Sequence, residues 1–222
     1  MERLKTLSRI ILIIAIPILI LTLSQNIIFR LPDAYLYYFN DSQCLSELYI
    51  DMTNSEVADA LTDLINTAGP DADKFNIYVD TGYDQLGIFE SRDSYNLLVL
   101  KRALDLGTLL CILSLAAVTV IYVFLLKHQE KKMLRVSFKI GAAIAGVLIV
   151  LQAVLFSMTP LREWIFTVIG VLPFHEDSAL SVMLSSGFWN MATVFLTFAA
   201  VIVLGAAAYV QYRLTRPPRM FY

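Results

Sequence analysis

Residues 89–127 read FESRDSYNLLVLKRALDLGTLLCILSLAAVTVIYVFLLK, and this stretch decides the architecture of the chain. It contains no proline and a single glycine, Gly107. Its first half is polar and charged, whereas its second half is apolar over the roughly 20 residues that a bilayer core requires. We therefore predict one continuous helix that begins in water, passes the membrane interface between Lys101 and Asp105, and then spans the membrane.

The composition of the whole chain agrees with a membrane protein. The chain has 222 residues and a mean hydropathy of +0.67. Only 16% of its residues are charged, against about 25% in a typical soluble domain. The net charge of -2 does not favour nucleic acid as a partner. The two histidines lie far apart in the sequence and no glycine-rich phosphate loop is present, so the sequence predicts neither a metal nor a cofactor.

Three further apolar runs are long enough to cross a bilayer, at residues 10–29, 140–158 and 188–212. The first follows Arg3, Lys5 and Arg9 and has the layout of an uncleaved signal anchor. The predicted fold is an all-α membrane protein with four transmembrane helices and a small α+β domain between the first two. The predicted segments are a basic segment with the first span (1–30), the α+β domain (31–92), the long helix ending as the second span (93–126), a basic loop (127–139), the third span (140–159), an interfacial or re-entrant segment (160–187), and the fourth span with a basic tail (188–222).

The distribution of charge predicts the orientation. Of the 17 basic residues, 11 lie at the N-terminus, in the loop at 127–139 and at the C-terminus. Of the 19 acidic residues, 16 lie within 31–103 and 160–187. Cytoplasmic segments carry an excess of Lys and Arg. Both termini are therefore predicted to be cytoplasmic, and the α+β domain and the segment 160–187 to be extracytoplasmic.

The domain at 31–92 is acidic and carries its own secondary-structure signals. Residues 31–93 contain 13 acidic residues and only two basic ones. Thr53 and Glu56 form a capping box that predicts a helix over 54–67. Apolar residues alternate at Phe75, Ile77 and Val79, which predicts a strand, followed by a turn at 80–82 and a returning strand near 86–88. About 60 residues make a marginal domain, so we expect it to lean on the membrane helices.

The segment 161–175 is apolar but too short to cross a bilayer, so we expect it to lie in the interface or to be re-entrant. Several charged residues fall near the same predicted depth. In one interpretation Lys101 and Arg102 extend to the interface and pair with Asp105. In the other, this region is a site for the phosphate or ester head group of a lipid. The candidate residues for lipid or head-group binding are Asn96, Lys101, Arg102, Arg162 and Trp164.

Two groups of residues carry a family resemblance. Before the second span the chain has Phe89, Glu90, Asp93 and Lys101; after the third it has residues 161–166, then Asp177, Met183, Leu184, Phe188 and Trp189. With the four spans, this pattern resembles the bacterial lipoprotein intramolecular transacylase (Lit) family. The resemblance implies a multi-pass protein of a bacterial plasma membrane. It also implies acyl transfer within a lipoprotein, from glycerol to the N-terminal amine, assisted by two histidines.

The chain departs from this family at both histidine positions, where it has Asn96 and Arg162. Asn does not titrate, and Arg stays protonated near pH 7, so neither side chain is a general base. His175 is the candidate substitute base. The candidate catalytic residues are therefore His175, Glu163 and Asp93.

Three functions follow from these observations. In the first, the protein handles lipid or lipoprotein acyl groups at the outer membrane face, and whether it catalyses their transfer is left open by the two substituted histidines. In the second, it is a non-catalytic membrane protein whose acidic domain binds or regulates a partner. The third, a small transporter subunit, has the least support because the spans lack charged residues.

Overall fold

A computed structural model describes residues 2–48, 52–67, 75–80, 85–175 and 177–216. Within these ranges the chain is mainly helical. The helices are α1 (Glu2–Phe29), α2 (Pro32–Ser42), α3 (Asn54–Thr67), α4 (Ser91–Lys127), α5 (Lys131–Ser157), α6 (Thr159–Ile169), α7 (Ala179–Met183) and α8 (Ser186–Thr215). A 3-10 helix covers Cys44–Leu48, and two short strands, β1 (Tyr78–Asp80) and β2 (Gln85–Gly87), pair with each other.

Four helices, α1, α4, α5 and α8, are long and apolar enough to cross a membrane. The prediction of four spans is confirmed, and the chain is a multi-pass membrane protein. Helix α4 runs for 37 residues from Ser91 to Lys127 without a break, as the sequence predicts. The absence of proline explains this continuity, since every backbone amide in the stretch can donate to the helix.

The connection between α4 and α5 is shorter than the sequence analysis predicts. Helix α5 begins at Lys131, so most of the segment predicted as a basic loop forms the first turns of this helix. The break is a turn in which Gln129 adopts a left-handed conformation with φ 58°. Residues 131–139 contain no glycine or proline, and Lys, Met, Leu and Arg favour a helix, which explains the early start.

The chain forms two compact units, and each long helix contributes residues to both. The first unit contains the residues up to Ser24, Gly107–Leu151, and the residues from Thr197 onward. Gly141 of α5 lies close to α1 there, because a Cβ atom at this glycine would lie 3.2 Å from the Cβ of Ile16. The buried core of this unit consists of Leu12, Ile16, Ile20, Ile121, Leu125, Leu134, Phe138, Ala145, Ile149 and Ala200.

The second unit contains Gln25–Leu106 and Gln152–Leu196, and it includes the predicted α+β domain. Helix α3 has the predicted bounds and the predicted capping box. The backbone N–H of Thr53 donates to the Glu56 carboxylate (2.7 Å), and the N–H of Glu56 donates to the Thr53 hydroxyl (3.3 Å). Strands β1 and β2 pair in antiparallel fashion with Val79 opposite Leu86. The predicted turn at 80–82 lies largely outside the described residues.

Helix α2 is an element that the sequence analysis missed. Pro32 occupies its first turn, a position where proline costs no hydrogen bond. Its buried side chains Tyr35, Tyr38 and Phe39 have the spacing of one helical face. Tyr35 stacks on Phe188 of α8 with ring centroids 5.4 Å apart. Tyr35, Tyr38 and Phe39 therefore belong to the core of the second unit.

Candidate functional site

A cavity of about 190 Å³ lies within the second unit. Apolar side chains form most of its wall, and the cavity is therefore suited to hydrocarbon rather than to a polar ligand. Lys101 is the charged side chain in this wall. The lining residues are Gln25, Phe29, Tyr35, Leu61, Ile65, Leu97, Leu100, Lys101, Ala103, Leu104, Phe156, Ile165, Phe166, Ile169, Leu184, Phe188 and Trp189.

The helical repeat explains how the sequence builds this wall. Helix α4 contributes Leu97, Leu100 and Leu104, whose spacing of three and four places them on one face. Helix α6 contributes Ile165, Phe166 and Ile169. The other side of α6 carries Trp164 and Val168, which are exposed by 63% and 66%. The short helix thus has one apolar face on the cavity and another that is left uncovered.

Tyr35 contributes a hydroxyl group to the cavity wall, and this group already has a hydrogen-bond partner in the protein. Its hydroxyl donates to the backbone carbonyl of Phe29 (3.1 Å). Burial raises the pKa of this phenol far above its usual value, because the charged form would lose its hydration. The side chain therefore remains a neutral hydrogen-bond donor at any physiological pH.

Lys101 belongs to an ion cluster that also contains Asp105 and Arg30. The Lys101 ammonium donates to one Asp105 oxygen (2.9 Å), and the Arg30 guanidinium donates to the other (2.6 Å). Arg30 also donates to the side-chain oxygens of Asn26 (2.9 Å) and Asn66 (3.1 Å). The pairing of Lys101 with Asp105 matches one of the two interpretations made from the sequence. Arg102, which that interpretation includes, is exposed and does not line the cavity.

Arg30 is the member of this cluster that the sequence analysis missed. The sequence does contain a feature that could have pointed to Arg30. This residue directly follows the apolar run of α1, at the end opposite the basic N-terminal segment. A basic residue at the predicted outer end of a span runs against the usual charge bias. Such a residue requires a partner, and Asp105 supplies it.

Asn96 is fully buried and holds the loop that follows α6. Its side-chain amide donates to the carbonyl of Leu172 (3.0 Å), and its oxygen accepts the Leu172 N–H (2.8 Å). This loop begins at Gly170, which ends α6 in a left-handed conformation with φ 94°. The sequence analysis names Asn96 as a candidate for lipid binding, but the oxygen and the nitrogen of its side-chain amide both bond to the protein backbone. It does not line the cavity.

Asp93 and Arg162 are buried in comparable structural roles. The Asp93 carboxylate is 1% exposed and accepts the N–H of Leu180 (3.3 Å). The Arg162 guanidinium is 5% exposed and donates to the carbonyl of Phe156 (3.0 Å) and to the hydroxyl of Thr159 (3.4 Å). Burial lowers the pKa of Arg162, while the neighbouring Glu163 partly opposes this effect.

The remaining candidate residues lie on the surface. His175, Glu163 and Trp164 are exposed, and none of them lines the cavity. The predicted catalytic residues therefore occupy different environments, with Asp93 buried and His175 and Glu163 exposed. Among the residues described, no three His, Cys, Asp or Glu side chains lie close enough together to hold a metal ion.

Comparison with solved structures identifies similar folds. No family model and no curated protein matches the chain. The membrane integral lipoprotein intramolecular transacylase Lit from Bacillus cereus is similar in structure, with a TM-score of 0.70 at 12% identity over 97% of this chain and 99% of that one. A variant of Lit in which one histidine is replaced by alanine has a TM-score of 0.75 at 13% identity, over 99% of this chain and 97% of that one. The predicted resemblance is thus confirmed for the fold over nearly the full length of both chains.

Proposed function

We propose that this protein binds the acyl chains of a membrane lipid or of a lipoprotein in the cavity of the second unit. The observation that carries the proposal is the cavity itself, which is walled almost entirely by hydrocarbon side chains in a multi-pass membrane protein. Burial of apolar surface contributes roughly 25 cal/mol per Å². An acyl chain in this cavity would therefore be stabilised by the burial of its apolar surface.

The shared fold supports an acyl group as the ligand. The transacylase Lit is, by its name, an enzyme that moves an acyl group within a lipoprotein. A lipoprotein is therefore the proposed partner, beside membrane lipid. Whether the protein also transfers the acyl group is a separate question, because Asn96 and Arg162 replace the two expected histidines and bond to backbone groups.

The proposed location of the site is the outer face of a bacterial plasma membrane. Its support is the distribution of basic residues, which favours a cytoplasmic location for both termini and for the turn between α4 and α5. In this orientation the acidic segment 31–92 lies outside the cell. Mature lipoproteins that are anchored to the outer leaflet would then have access to the protein.

Filling the cavity tests the binding proposal. Leu104 of α4 lines the cavity, whereas Leu106, two residues further along, is 57% exposed. We expect Leu104→Trp to reduce the amount of acyl lipid that co-purifies with the protein, measured by mass spectrometry after mild detergent extraction. The matched variant Leu106→Trp should retain wild-type levels. Equal lipid content in the wild type and in Leu104→Trp would contradict the proposal.

A second experiment separates binding from catalysis. The protein is expressed in cells whose lipoproteins carry only diacylglycerol, and the lipoprotein N-termini are analysed by mass spectrometry. An acyl group on the terminal amine, with one acyl group lost from glycerol, would establish transacylation. Unchanged N-termini, together with lipid in the cavity, would assign the protein to binding alone.

One observation favours the alternative of a non-catalytic protein that binds a partner through its acidic domain. Glu56, Asp59 and Asp63 of α3 are exposed, and their spacing places them on one face of the helix. A basic partner would be attracted to this face. A photo-crosslinking residue at Asp59 should then trap that partner in cells, and Asp63→Lys should reduce the yield. An unaltered yield would exclude this face as the binding surface.

A further inference from the structure

We propose that the ion cluster of Lys101, Asp105 and Arg30 selects the head group of the bound lipid, and that the preferred occupant is a phospholipid with an anionic phosphate head. This inference rests on the proposed function, since it assumes that an acyl chain fills the cavity. It adds the chemical class of the ligand and assigns a role to Arg30.

The ion cluster carries excess positive charge. Two cations, Lys101 and Arg30, share the single carboxylate of Asp105, so the cluster has a net charge of +1. The Lys101 side chain is 11% exposed and that of Arg30 is 19% exposed, whereas Asp105 is 47% exposed. The two cations are therefore more buried than the carboxylate. An unbalanced charge is less favourable when it is buried, so the excess positive charge destabilises this cluster. An anion at this position would remove the imbalance.

Lys101 and Arg30 have more N–H donors than they use in the cluster. An ammonium group has three N–H donors, and Lys101 uses one of them on Asp105. A guanidinium has five, and Arg30 uses three on Asn26, Asn66 and Asp105. Among the residues that the structure describes, donors therefore remain on both cations for an acceptor that presents more than one oxygen. Phosphate oxygens match this requirement and form charge-assisted bonds with both side-chain types.

Lys101 connects the ion cluster to the cavity. Its side chain belongs to the wall of the cavity, and Leu100 and Leu104 lie beside it on the same wall. A ligand with acyl chains in the cavity would thus bring its polar end to a buried ammonium. Membrane phospholipids surround a multi-pass protein at high local concentration, and basic pockets between helices bind anionic head groups. The phosphate of such a lipid is the occupant that these contacts favour.

Lipid selection by the purified protein tests this inference. The full-length protein is extracted in mild detergent and exchanged into mixed micelles that contain equal amounts of phosphatidylglycerol and phosphatidylethanolamine of the same acyl chains. The bound lipids are then quantified by mass spectrometry. We expect the wild type to enrich the anionic lipid. In Lys101→Met this enrichment should fall about tenfold or more, the loss expected for a charge-assisted bond.

Two further variants make the test specific. Arg92 is an exposed basic residue in the first turn of α4, and Arg92→Met should leave the enrichment unchanged. Asp105→Asn raises the net charge of the cluster and should increase the enrichment, so a failure of Lys101→Met to fold does not remove the test. The inference is overturned if Lys101→Met and Asp105→Asn keep the wild-type ratio, or if Arg92→Met changes it as much.

The identity of the bound molecule decides the remaining outcomes. Retention of the anionic phospholipid supports the inference. Retention of free fatty acid, neutral diacylglycerol or phosphatidylethanolamine in preference to it overturns the inference while leaving the acyl-binding proposal intact. If no acyl lipid is retained and Leu104→Trp has no effect, the proposed function itself fails.

Discussion

At the scale of single residues, Asn96 is a buried polar side chain whose hydrogen bonds go to the backbone. Its amide satisfies both the N–H and the carbonyl of Leu172. Asn96→Ala removes both bonds, and the loss of two partly buried hydrogen bonds costs about 1–3 kcal/mol. We expect a lower unfolding temperature in detergent, with easier proteolysis near residue 172.

Two variants control this prediction. Asn96→Asp keeps the size and the acceptor but places a carboxylate against the Leu172 carbonyl, so it should destabilise the protein without creating a cavity. Asn190 is exposed on α8, and Asn190→Ala should change stability by no more than about 0.5 kcal/mol. Equal unfolding temperatures for Asn96→Ala and Asn190→Ala would show that the bonds to Leu172 contribute nothing.

Glu56 gives a pH-dependent prediction at the same scale. Hydrogen bonds from the backbone and side chain of Thr53 lower the pKa of this carboxyl below its usual value. A lowered folded-state pKa means that the stabilisation is present above the unfolded-state pKa and is lost as the pH falls through the folded-state pKa. The stability difference between the wild type and Glu56→Ala should therefore shrink below about pH 4.5, the ordinary carboxyl value.

The partner residue supplies the control for this pH dependence. Thr53→Ala removes the hydroxyl that donates to the Glu56 carboxylate and accepts the Glu56 N–H, but it keeps the backbone N–H that donates to the same carboxylate. In this background, adding Glu56→Ala should therefore produce a smaller pH-dependent change that does not vanish. Chemical denaturation followed over a pH series measures all four proteins. A difference that stays constant between pH 7 and pH 3 would contradict the role of the capping box.

Residue identity alone could predict some of the site and not the rest. The i, i+4 spacing of Lys101 and Asp105 on a helix was enough to predict their pairing. The contribution of Arg30 depends on a contact between residues 75 positions apart, which no local pattern encodes. The burial of Asn96 and Arg162 likewise follows from where the segment 159–180 packs. Head-group binding by Asn96 and Arg162 and catalysis by His175 remain predictions.

At the scale of secondary-structure elements, helix α5 makes a close contact at one of its glycines and not at another. A Cβ at Gly141 would lie 3.2 Å from the Ile16 Cβ and 3.4 Å from the Ile13 carbonyl, whereas nothing lies within 4 Å of a Cβ at Gly146. Gly141→Leu should therefore overpack α1 against α5 and cost about 1–3 kcal/mol. Gly146→Leu meets open space and should gain up to about 1 kcal/mol from helix propensity.

Thermal unfolding of the two variants in the same detergent measures this difference. Because both substitutions replace glycine with leucine on one helix, the comparison cancels the effect of side-chain hydrophobicity on the helix itself. The prediction requires Gly141→Leu to unfold at a lower temperature than Gly146→Leu. The reverse order would mean that α1 and α5 do not pack closely at Gly141.

The elements also show what apolar periodicity can predict. The long spans and α3 follow from runs and repeats in the sequence, because each has a clear apolar pattern or a cap. Helix α2 was missed because its aromatic run, Tyr35 to Phe39, has a composition typical of a membrane interface. Only the packing of Tyr35 against Phe188 distinguishes a core helix from an interfacial one. The start of α5 was placed too late because its first turns are charged.

At the scale of the whole molecule, the orientation in the membrane connects the fold to the proposed function. Lipoprotein binding at the outer face requires the acidic segment 31–92 to lie outside the cell. The charge bias that supports this orientation is a property of the sequence, whereas the helices alone would fit either direction. Asp59 of α3 and Lys132 of α5 are both exposed, and they should lie on opposite sides of the membrane.

Cysteine labelling in cells tests this orientation. The native thiols of Cys44 and Cys111 are buried, so background labelling should be low. We expect a membrane-impermeant maleimide to label Asp59→Cys in intact cells and Lys132→Cys only after the membrane is permeabilised, because the charged reagent cannot cross the bilayer. The opposite pattern would place the cavity's unit toward the cytoplasm. An outer-leaflet lipoprotein could not then be its ligand, although lipid binding in the cavity would still be open to the cytoplasmic leaflet.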